Sequence, residues 1–243
     1  MLNQREETEY RALKVLSVSR DSLGSGTLRD DLVKYGTRIS EATAGRLLRE
    51  LDGRGYTEKV SFRGRRLTER GRARLMELER ERERANFGSE LLRTLRAKGK
   101  SELIEVLVAR RAIERETARL AAMNATEREI AEMESIIARH RRATESGGSG
   151  SDEDVKFHHL IAAAARNRVL MAASSLVRQD GQLAPILTYI RRQVKSRVVD
   201  DHVKIYEAIA SRDPAAAEAA MVEHMENLIR DVERYWMEHE RSG

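Results

Sequence analysis

The chain has 243 residues, with 35% charged residues, 4% aromatic residues, two prolines and no cysteine. This composition is typical of helical domains with solvated faces, and the length allows one large domain or two ordinary ones. The absence of cysteine excludes disulfides and thiolate zinc sites, so a bound metal would need histidine or carboxylate ligands. No apolar run approaches the ~20 residues of a membrane span, and the start lacks a signal-peptide core. We therefore expect a cytoplasmic protein that has no membrane partner.

The positive charge is unevenly distributed along the chain. Residues 1–84 contain 20 Lys and Arg against 15 Asp and Glu, whereas residues 85–243 contain 25 of each, so the first third carries the whole net charge of +5. A basic module of this kind is expected where a protein meets DNA. The alternative is that these charges only form solvated helix faces.

The N-terminal segment has the pattern of a helix-turn-helix. Apolar spacing predicts helices over 9–18, 28–35 and 41–53, with a turn at 24–27 and Ser40 as the N-cap of the third helix. The third helix leaves Thr43, Arg46 and Arg49 outside its apolar stripe. In a helix-turn-helix these side chains would face the major groove of double-stranded DNA.

A basic hairpin follows the third helix. Residues 56–62 alternate like a strand, a tight turn follows, and the chain returns at residue 67. Between residues 38 and 74 there are 11 Lys and Arg against 5 Asp and Glu. Such a wing suits the phosphate backbone or the minor groove. Its predicted DNA-contacting residues are Arg63, Arg65 and Arg66.

The stretch ISEATAGRLLRELDGRGYTEKVSFRGRRLTERGRARL resembles the winged helices of NrpR-type regulators, whose run is "LD..G.....RGR.LTE.G". The resemblance covers residues 10–76 and implies DNA binding. The alternative is a winged helix that serves only protein contacts.

The rest of the chain is dominated by helical patterns. Residues 77–100 are highly charged and predict a connecting helix, and a flexible loop, SGGSGS, occupies residues 146–151. The predicted fold is mainly α: a winged helix with a small β wing over 1–76, the connecting helix over 77–100 and an all-α helical bundle over 101–243.

Four residues of the bundle have the spacing of a metal site. Asp154 and His158 lie four residues apart, on one face of a helix. His202 and His224 flank a turn at 211–214, at distances of roughly 13 and 15 Å along antiparallel helices, which brings them level. Three imidazoles and a carboxylate suit a divalent ion, with Zn²⁺ first and Ni²⁺ or Mn²⁺ as alternatives. Each histidine could instead be incidental, and three are not assigned to the site: His140, His159 and His239.

Three segments, LIEVLVARRAIERETARLAA, DVKFHHLIAAAARNRVL and DDHVKIYEAIASRDPAAAEAAMVEHM, resemble the FCD sensor domain of FadR-type GntR regulators. The resemblance spans about residues 100–236 and implies a helical bundle, often dimeric. It also implies a metal held by one Asp and three His, here Asp154, His158, His202 and His224. An arginine at the position of Arg110 would help to bind a small carboxylate.

The sequence leaves the role of Arg110 open. It lies on a helix stripe with Leu103, Leu107 and Glu114, and a buried arginine needs a partner. That partner could be Glu114 one turn away or the carboxylate of a ligand. The family usually has a glutamate two residues before this arginine, where this chain has Val108.

These observations predict a homodimeric, ligand-responsive DNA-binding transcriptional regulator that senses a small organic acid and reads an operator with two winged helices. They do not predict an enzyme. The alternatives are a metal-dependent hydrolase and a DNA-binding protein whose metal only braces the bundle.

Overall fold

The computed structural model describes residues 2–19, 21–60, 64–96 and 99–240, the side chains of residues 180, 181 and 240 excepted. The chain forms two compact units, Met1–Arg93 and Thr94–Gly243. The predicted fold class is confirmed, because the described secondary structure is almost entirely helical apart from one two-stranded sheet.

The first unit is a winged helix. Its elements are α1 (Gln4–Val18), α2 (Ser25–Lys34), α3 (Glu41–Gly53), β1 (Thr57–Lys59), β2 (Arg65–Leu67) and the first part of α4 (Glu69–Thr94). The two strands are antiparallel and pair Thr57 with Leu67 and Lys59 with Arg65. Leu23 adds a bridge to Arg65, which ties the hairpin to the segment between α1 and α2.

Helix caps explain where the first helices begin. Ser40 caps α3 as predicted, since its hydroxyl accepts the backbone N–H of Thr43 at 3.1 Å. Asn3 and Glu6 form a capping box that starts α1 earlier than the predicted residue 9. The predicted turn at 24–27 was wrong in its extent, because α2 already begins at Ser25.

The first unit has an apolar core built from α1, α2, α3 and α4. The core includes Leu13, Leu32, Leu48 and Leu78, all with no exposed surface. Helix α4 meets the hairpin at Gly71, where an added Cβ would lie 2.1 Å from the carbonyl oxygen of Tyr56. Only glycine allows this approach, so the start of α4 is fixed against the wing.

The second unit is a helical bundle. Its helices are α5 (Lys100–Asn124), α6 (Glu127–Glu145), α7 (Ser151–Ala164), α8 (Arg168–Arg178), α9 (Asp180–Gln193), α10 (Val198–Ala210) and α11 (Pro214–Glu240). Helix α5 packs most extensively against α11 and also contacts α7, α8 and α10. The site described below therefore lies among helices that converge on α5. In the described part of the chain, no helix is both long and apolar enough to cross a membrane.

The segment predicted as a separate connecting helix at 77–100 differs in its limits. Helix α4 is continuous from Glu69 to Thr94, and α5 begins at Lys100. The charged segment is thus an extension of the helix that packs beneath the wing. Its role as a connection between two functional domains stays a prediction.

Candidate metal and effector site

Three histidines from three helices meet inside the bundle. His158 on α7, His202 on α10 and His224 on α11 each place one ring nitrogen within 4.8 Å of the other two. All three side chains are buried, with at most 2% exposure. Pro214 begins α11 after a short turn, so α10 and α11 run back along each other and bring His202 level with His224.

Most ring nitrogens of this cluster have no hydrogen-bond partner among the described atoms. These are both nitrogens of His158, both of His202 and Nε2 of His224. A buried polar atom without a partner costs about 1–3 kcal/mol. Each of the three rings has at least one such nitrogen, and one nitrogen from each ring would bind a divalent ion, which accepts lone pairs from imidazole nitrogens.

A carboxylate behind the cluster orients His224. Nδ1 of this histidine lies 3.4 Å from Oδ2 of Asp201, whose other oxygen accepts a hydrogen bond from Asn227 at 2.9 Å. Metal-binding histidines commonly use their second nitrogen in this way, which turns the first toward the metal. The sequence analysis missed Asp201, because no local spacing links residue 201 to residue 224.

Burial keeps the imidazoles in the form that binds metals. Burial and the nearby Arg178 lower the pKa of His158 to about 4, although Glu114 opposes this shift. Burial also holds the pKa of His202 well below its usual range, with His224 adding to the effect. Both rings are therefore neutral at physiological pH, as metal ligands must be.

Asp154, the predicted fourth ligand, lies at the edge of the cluster and pairs with two arginines. Its Oδ1 accepts a hydrogen bond from Arg191 at 2.9 Å, and its Oδ2 accepts one from Arg178 at 3.1 Å. The same Oδ1 lies 3.5 Å from Nε2 of His202. Burial raises the pKa of Asp154, but Arg191 outweighs it together with His158, His202 and Arg178, and this pKa lies well below its usual range.

The buried stripe on α5 carries the predicted Arg110. Its Nε donates to Glu114 at 2.8 Å, so the partner proposed within the chain is present. Its Nη2, however, is buried without a partner, which leaves one donor for a ligand. Val108 is 42% exposed and lies off this stripe. The unusual residue at position 108 thus does not line the described cluster.

Glu114 is the centre of the buried ion network. Its Oε2 accepts a hydrogen bond from Arg178 at 3.0 Å and lies 2.7 Å from Nδ1 of His158, without hydrogen-bond alignment to that ring. Burial raises the pKa of Glu114, but Arg110, Arg178 and His158 together bring it well below its usual value. One ionised carboxylate therefore joins the arginines to the histidine cluster.

Sequence reasoning missed three further residues of this centre. Arg178 and Arg191 lie on the short helices α8 and α9, where the sequence pattern predicts that arginines are on the surface. His140 was left out because charged residues surround it, yet it is 2% exposed and its ring centroid lies 5.2 Å from that of His202. Only the pattern of α6, with Met133, Ile136 and Ile137 on the same buried face, signalled its burial.

The predicted DNA-binding residues of α3 are accessible. Arg46 and Arg49 are exposed, and Thr43 is half-buried and accepts a hydrogen bond from Arg46 at 3.2 Å. In the wing, Arg66 is exposed beside Glu58, whereas Arg65 pairs with Asp52 at 2.8 Å and has a side chain only 19% exposed. Arg63 lies outside the described residues.

Comparison with known protein families places the second unit. The FCD domain family matches residues 105–227, half of the chain. This chain belongs to the FCD domain family. A second match, to the ribonuclease R winged-helix domain, covers residues 10–75 and confirms the predicted winged helix.

Characterised relatives match about half of the chain. The Exu regulon transcriptional regulator of Escherichia coli K12 is 32% identical over 127 residues, which are 51% of this chain and 48% of that protein. The HTH-type transcriptional regulator LutR of Bacillus subtilis is 27% identical over 134 residues, 53% of this chain and 61% of LutR. The similarity thus spans only about half to three fifths of these relatives.

Solved structures resemble the chain over most of its length. E. coli McbR/YncC has a TM-score of 0.50 at 15% identity and covers 97% of this chain and 100% of its own. Streptococcus agalactiae GntR has a TM-score of 0.47 at 19% identity, covering 93% and 99%. At such identity the similarity to McbR/YncC bears on the fold alone.

Proposed function

We propose that this protein is a ligand-responsive DNA-binding transcriptional regulator of the cytoplasm, and that it senses a small carboxylate through a metal in its FCD domain. The observation that carries the proposal is the buried cluster of His158, His202 and His224, in which every ring has a nitrogen without a hydrogen-bond partner among the described atoms. The names of the similar proteins, both transcriptional regulators, support the same conclusion.

DNA binding is assigned to the first unit. Helix α3 presents Arg46, Arg49 and Thr43, and the wing presents Arg66. Because the basic excess of the chain lies in this unit, phosphate contacts would supply affinity, and α3 would read bases in the major groove. We expect a homodimer in which two such units bind an inverted repeat.

The sensor is assigned to the second unit. The three histidines would hold a divalent ion, Zn²⁺ first and Ni²⁺ or Mn²⁺ as alternatives, with Asp154 as the fourth protein ligand. When bound, the ion supplies a Lewis acid that attracts carboxylate oxygens. Arg110 would donate its unpartnered Nη2 to the same carboxylate, since guanidinium and carboxylate pair strongly.

Coupling between the units requires that the effector prefer one of two states of the protein. Effector binding would change the network around Glu114 and Asp154, and helix α4 would transmit the change. The operator and the effector must then affect each other's affinity by the same factor. A metal that only braced the fold would show no such reciprocity.

Metal analysis tests the sensor. Full-length protein purified without chelators is compared with His158→Ala/His202→Ala and with the control His159→Ala, whose residue is exposed beside His158. We expect about one divalent ion per chain in the wild type and the control, and none in the double variant. A wild type that holds no ion after incubation with Zn²⁺, Ni²⁺ or Mn²⁺ would contradict the metal assignment.

Selection of DNA sequences tests the DNA-binding role proposed for the first unit. Duplexes selected from a random pool by the full-length protein give a binding sequence, on which Arg49→Ala is compared with Arg128→Ala, an exposed arginine of α6. We expect the first variant to lose about 1–3 kcal/mol of binding free energy and the second to lose none. Equal affinity of both variants across several salt concentrations would show that α3 is not the recognition helix.

A further inference from the structure

A cavity of about 180 Å³ lies beside the histidine cluster. The glycine-rich loop between α6 and α7 forms one wall, and the end of α9 forms the other. Asp154 belongs both to this cavity and to the edge of the cluster, because its Oδ1 lies 3.5 Å from Nε2 of His202. The side chain of Asp154 therefore contacts both the cavity and the cluster.

The cavity wall is strongly basic. Arg191, Arg192, Lys195 and His140 line it, and Asp154 is the sole acidic residue among the described lining residues. Asp154 is already engaged by Arg178 and Arg191. Arg192 and Lys195 are exposed and pair with no acidic group in the part of the chain that the structure describes. Their charges are thus available to an anion.

His140 adds a buried group that lacks a partner. Its side chain is 2% exposed, and its Nδ1 has no hydrogen-bond partner among the described atoms. The loop holds this ring closely, since a Cβ at Gly150, where φ is +62°, would lie 2.3 Å from Cδ2 of His140. A ligand that reached this nitrogen would supply the missing partner.

Lys195 keeps a backbone conformation that favours glycine. Its φ is +53°, and it is one of four described non-glycine residues with a positive φ, along with Arg166, Gln179 and Arg212. The other three use their side chains in hydrogen bonds, to Glu129, the Leu95 carbonyl and Glu127 respectively. The Lys195 side chain has no such bond within the described residues. Its backbone nevertheless has the same unfavourable left-handed conformation.

Charge balance indicates how much negative charge a ligand should carry. Around the three histidines lie three buried guanidinium groups, of Arg110, Arg178 and Arg191, two buried carboxylates, of Glu114 and Asp154, and the half-buried carboxylate of Asp201. The charges of these six side chains cancel, and a divalent ion would add two positive charges. Because an uncompensated buried charge is costly, a ligand with at least two negative charges would offset those of the ion.

We propose that the effector carries two acidic groups, as a dicarboxylate or a phosphorylated carboxylate does, and that the second group binds in this cavity to Arg192, Lys195 and His140. The inference rests on the proposed function, because the first acidic group is assigned to the metal and Arg110. Arg191 stands between the two positions, since it lines the cavity and holds Asp154 at 2.9 Å.

Titration calorimetry on the Zn²⁺-loaded, full-length protein tests the inference. The probes are propionate, with one acidic group, succinate, with a second carboxylate, and phosphoglycolate, with a phosphate. The variant Arg192→Gln/Lys195→Gln is compared with Arg128→Gln/Lys204→Gln, which removes the same charge from exposed sites outside the cavity. The zinc content of every sample is measured in parallel.

We expect the wild type and the control to bind succinate, phosphoglycolate or both about tenfold more tightly than propionate. The cavity variant should lose this preference while keeping its affinity for propionate and its zinc. Preference for succinate or for phosphoglycolate identifies the second acidic group. A wild type without preference, or a cavity variant that keeps it, would overturn the inference.

The zinc measurement separates this inference from the proposed function. Bound zinc without any dianion preference contradicts the second binding position alone. A wild type that binds dianions through Arg192 and Lys195 but holds no metal supports this inference and contradicts the metal sensor.

Discussion

The two units differ in how deeply they bury charged side chains. In the described residues of the first unit, one charged side chain is buried, that of Glu9 at 4% exposure, and its partners Arg54 and Arg74 reach water at 34% and 19% side-chain exposure. In the second unit, Glu114 and its partners Arg110 and Arg178 are all at 2% side-chain exposure. A buried ion pair is worth little to stability when complete, but loss of one member is expensive.

This difference indicates where the functional residues of each unit lie. The first unit has an apolar interior, so its stability comes from packing and its functional residues can lie outside on α3 and the wing. The interior of the second unit contains arginines, carboxylates and histidines. Their burial costs desolvation free energy that apolar residues would not cost. Its stability should therefore respond to metal ions, to small ligands and to pH more strongly than that of the first unit.

The largest contrast is expected from the two buried glutamates. Glu114→Gln removes the shared partner of Arg110 and Arg178, which would then remain charged and buried. We expect the free energy of unfolding of the second unit to fall by about 3–5 kcal/mol. The control Glu116→Gln, on the exposed side of α5 beside Arg119, should cost under about 0.5 kcal/mol. Urea unfolding followed by the fluorescence of Trp236, the sole tryptophan, measures both. Equal costs would show that the ion network is not a buried one.

The next effect is a dependence of stability on pH that the second unit owes to a buried histidine. His158 has a pKa of about 4 in the folded protein, compared with 6.5 when unfolded, so the unfolded chain binds more protons between these values. Stability of the metal-free second unit should therefore fall as the pH drops from 6.5 to 4, by roughly 3 kcal/mol for this residue. The first unit, residues 1–93, contains no histidine.

Unfolding in the presence of a chelator at pH 7 and pH 5 checks this dependence. Trp236 reports on the second unit, and hydrogen exchange of α1 and α3 reports on the first. His158→Leu should flatten the response of the second unit. A wild type equally stable at both pH values would mean that His158 is not buried in its neutral form.

A smaller effect is expected at Glu9. Glu9→Gln weakens the bonds to Arg54 and Arg74, which stand at 2.7 and 2.9 Å, but both arginines can turn to water. We expect a loss of about 1–2 kcal/mol, less than at Glu114. Thermal unfolding of this variant beside Glu7→Gln, whose carboxylate is more exposed, gives the comparison. A loss as large as that of Glu114→Gln would remove the distinction between the units.

Local patterns predicted what depends on local chemistry. Ser40 capped α3, Pro214 began α11, and the i, i+4 pair of Asp154 and His158 lies on one helix. The proximity of His202 and His224 was also predictable from the sequence. Two residues at similar distances from the turn lie side by side in a pair of antiparallel helices. The helices and the histidine cluster were thus within reach of sequence reasoning.

Partners from distant elements were not within reach. Asp201 meets His224 across two helices, Arg178 and Arg191 both meet Asp154, and a surface-like pattern on α8 and α9 hid their burial. Asp154 showed the right spacing for a ligand, yet spacing carries no information about the arginines that compete for its oxygens. Tertiary packing alone decides which charges share an interior.

The conformation of Lys195 implies a trade between stability and recognition. A left-handed backbone costs a non-glycine residue about 1–2 kcal/mol, so Lys195→Gly should leave the free protein as stable as before or up to about 1 kcal/mol more stable. The same substitution should weaken dianion binding, and thermal unfolding with and without succinate would record both changes. A variant that became less stable without ligand would mean that the lysine already serves the fold. If both changes are observed, residue 195 is a position where a gain in stability lowers the selectivity for dianions.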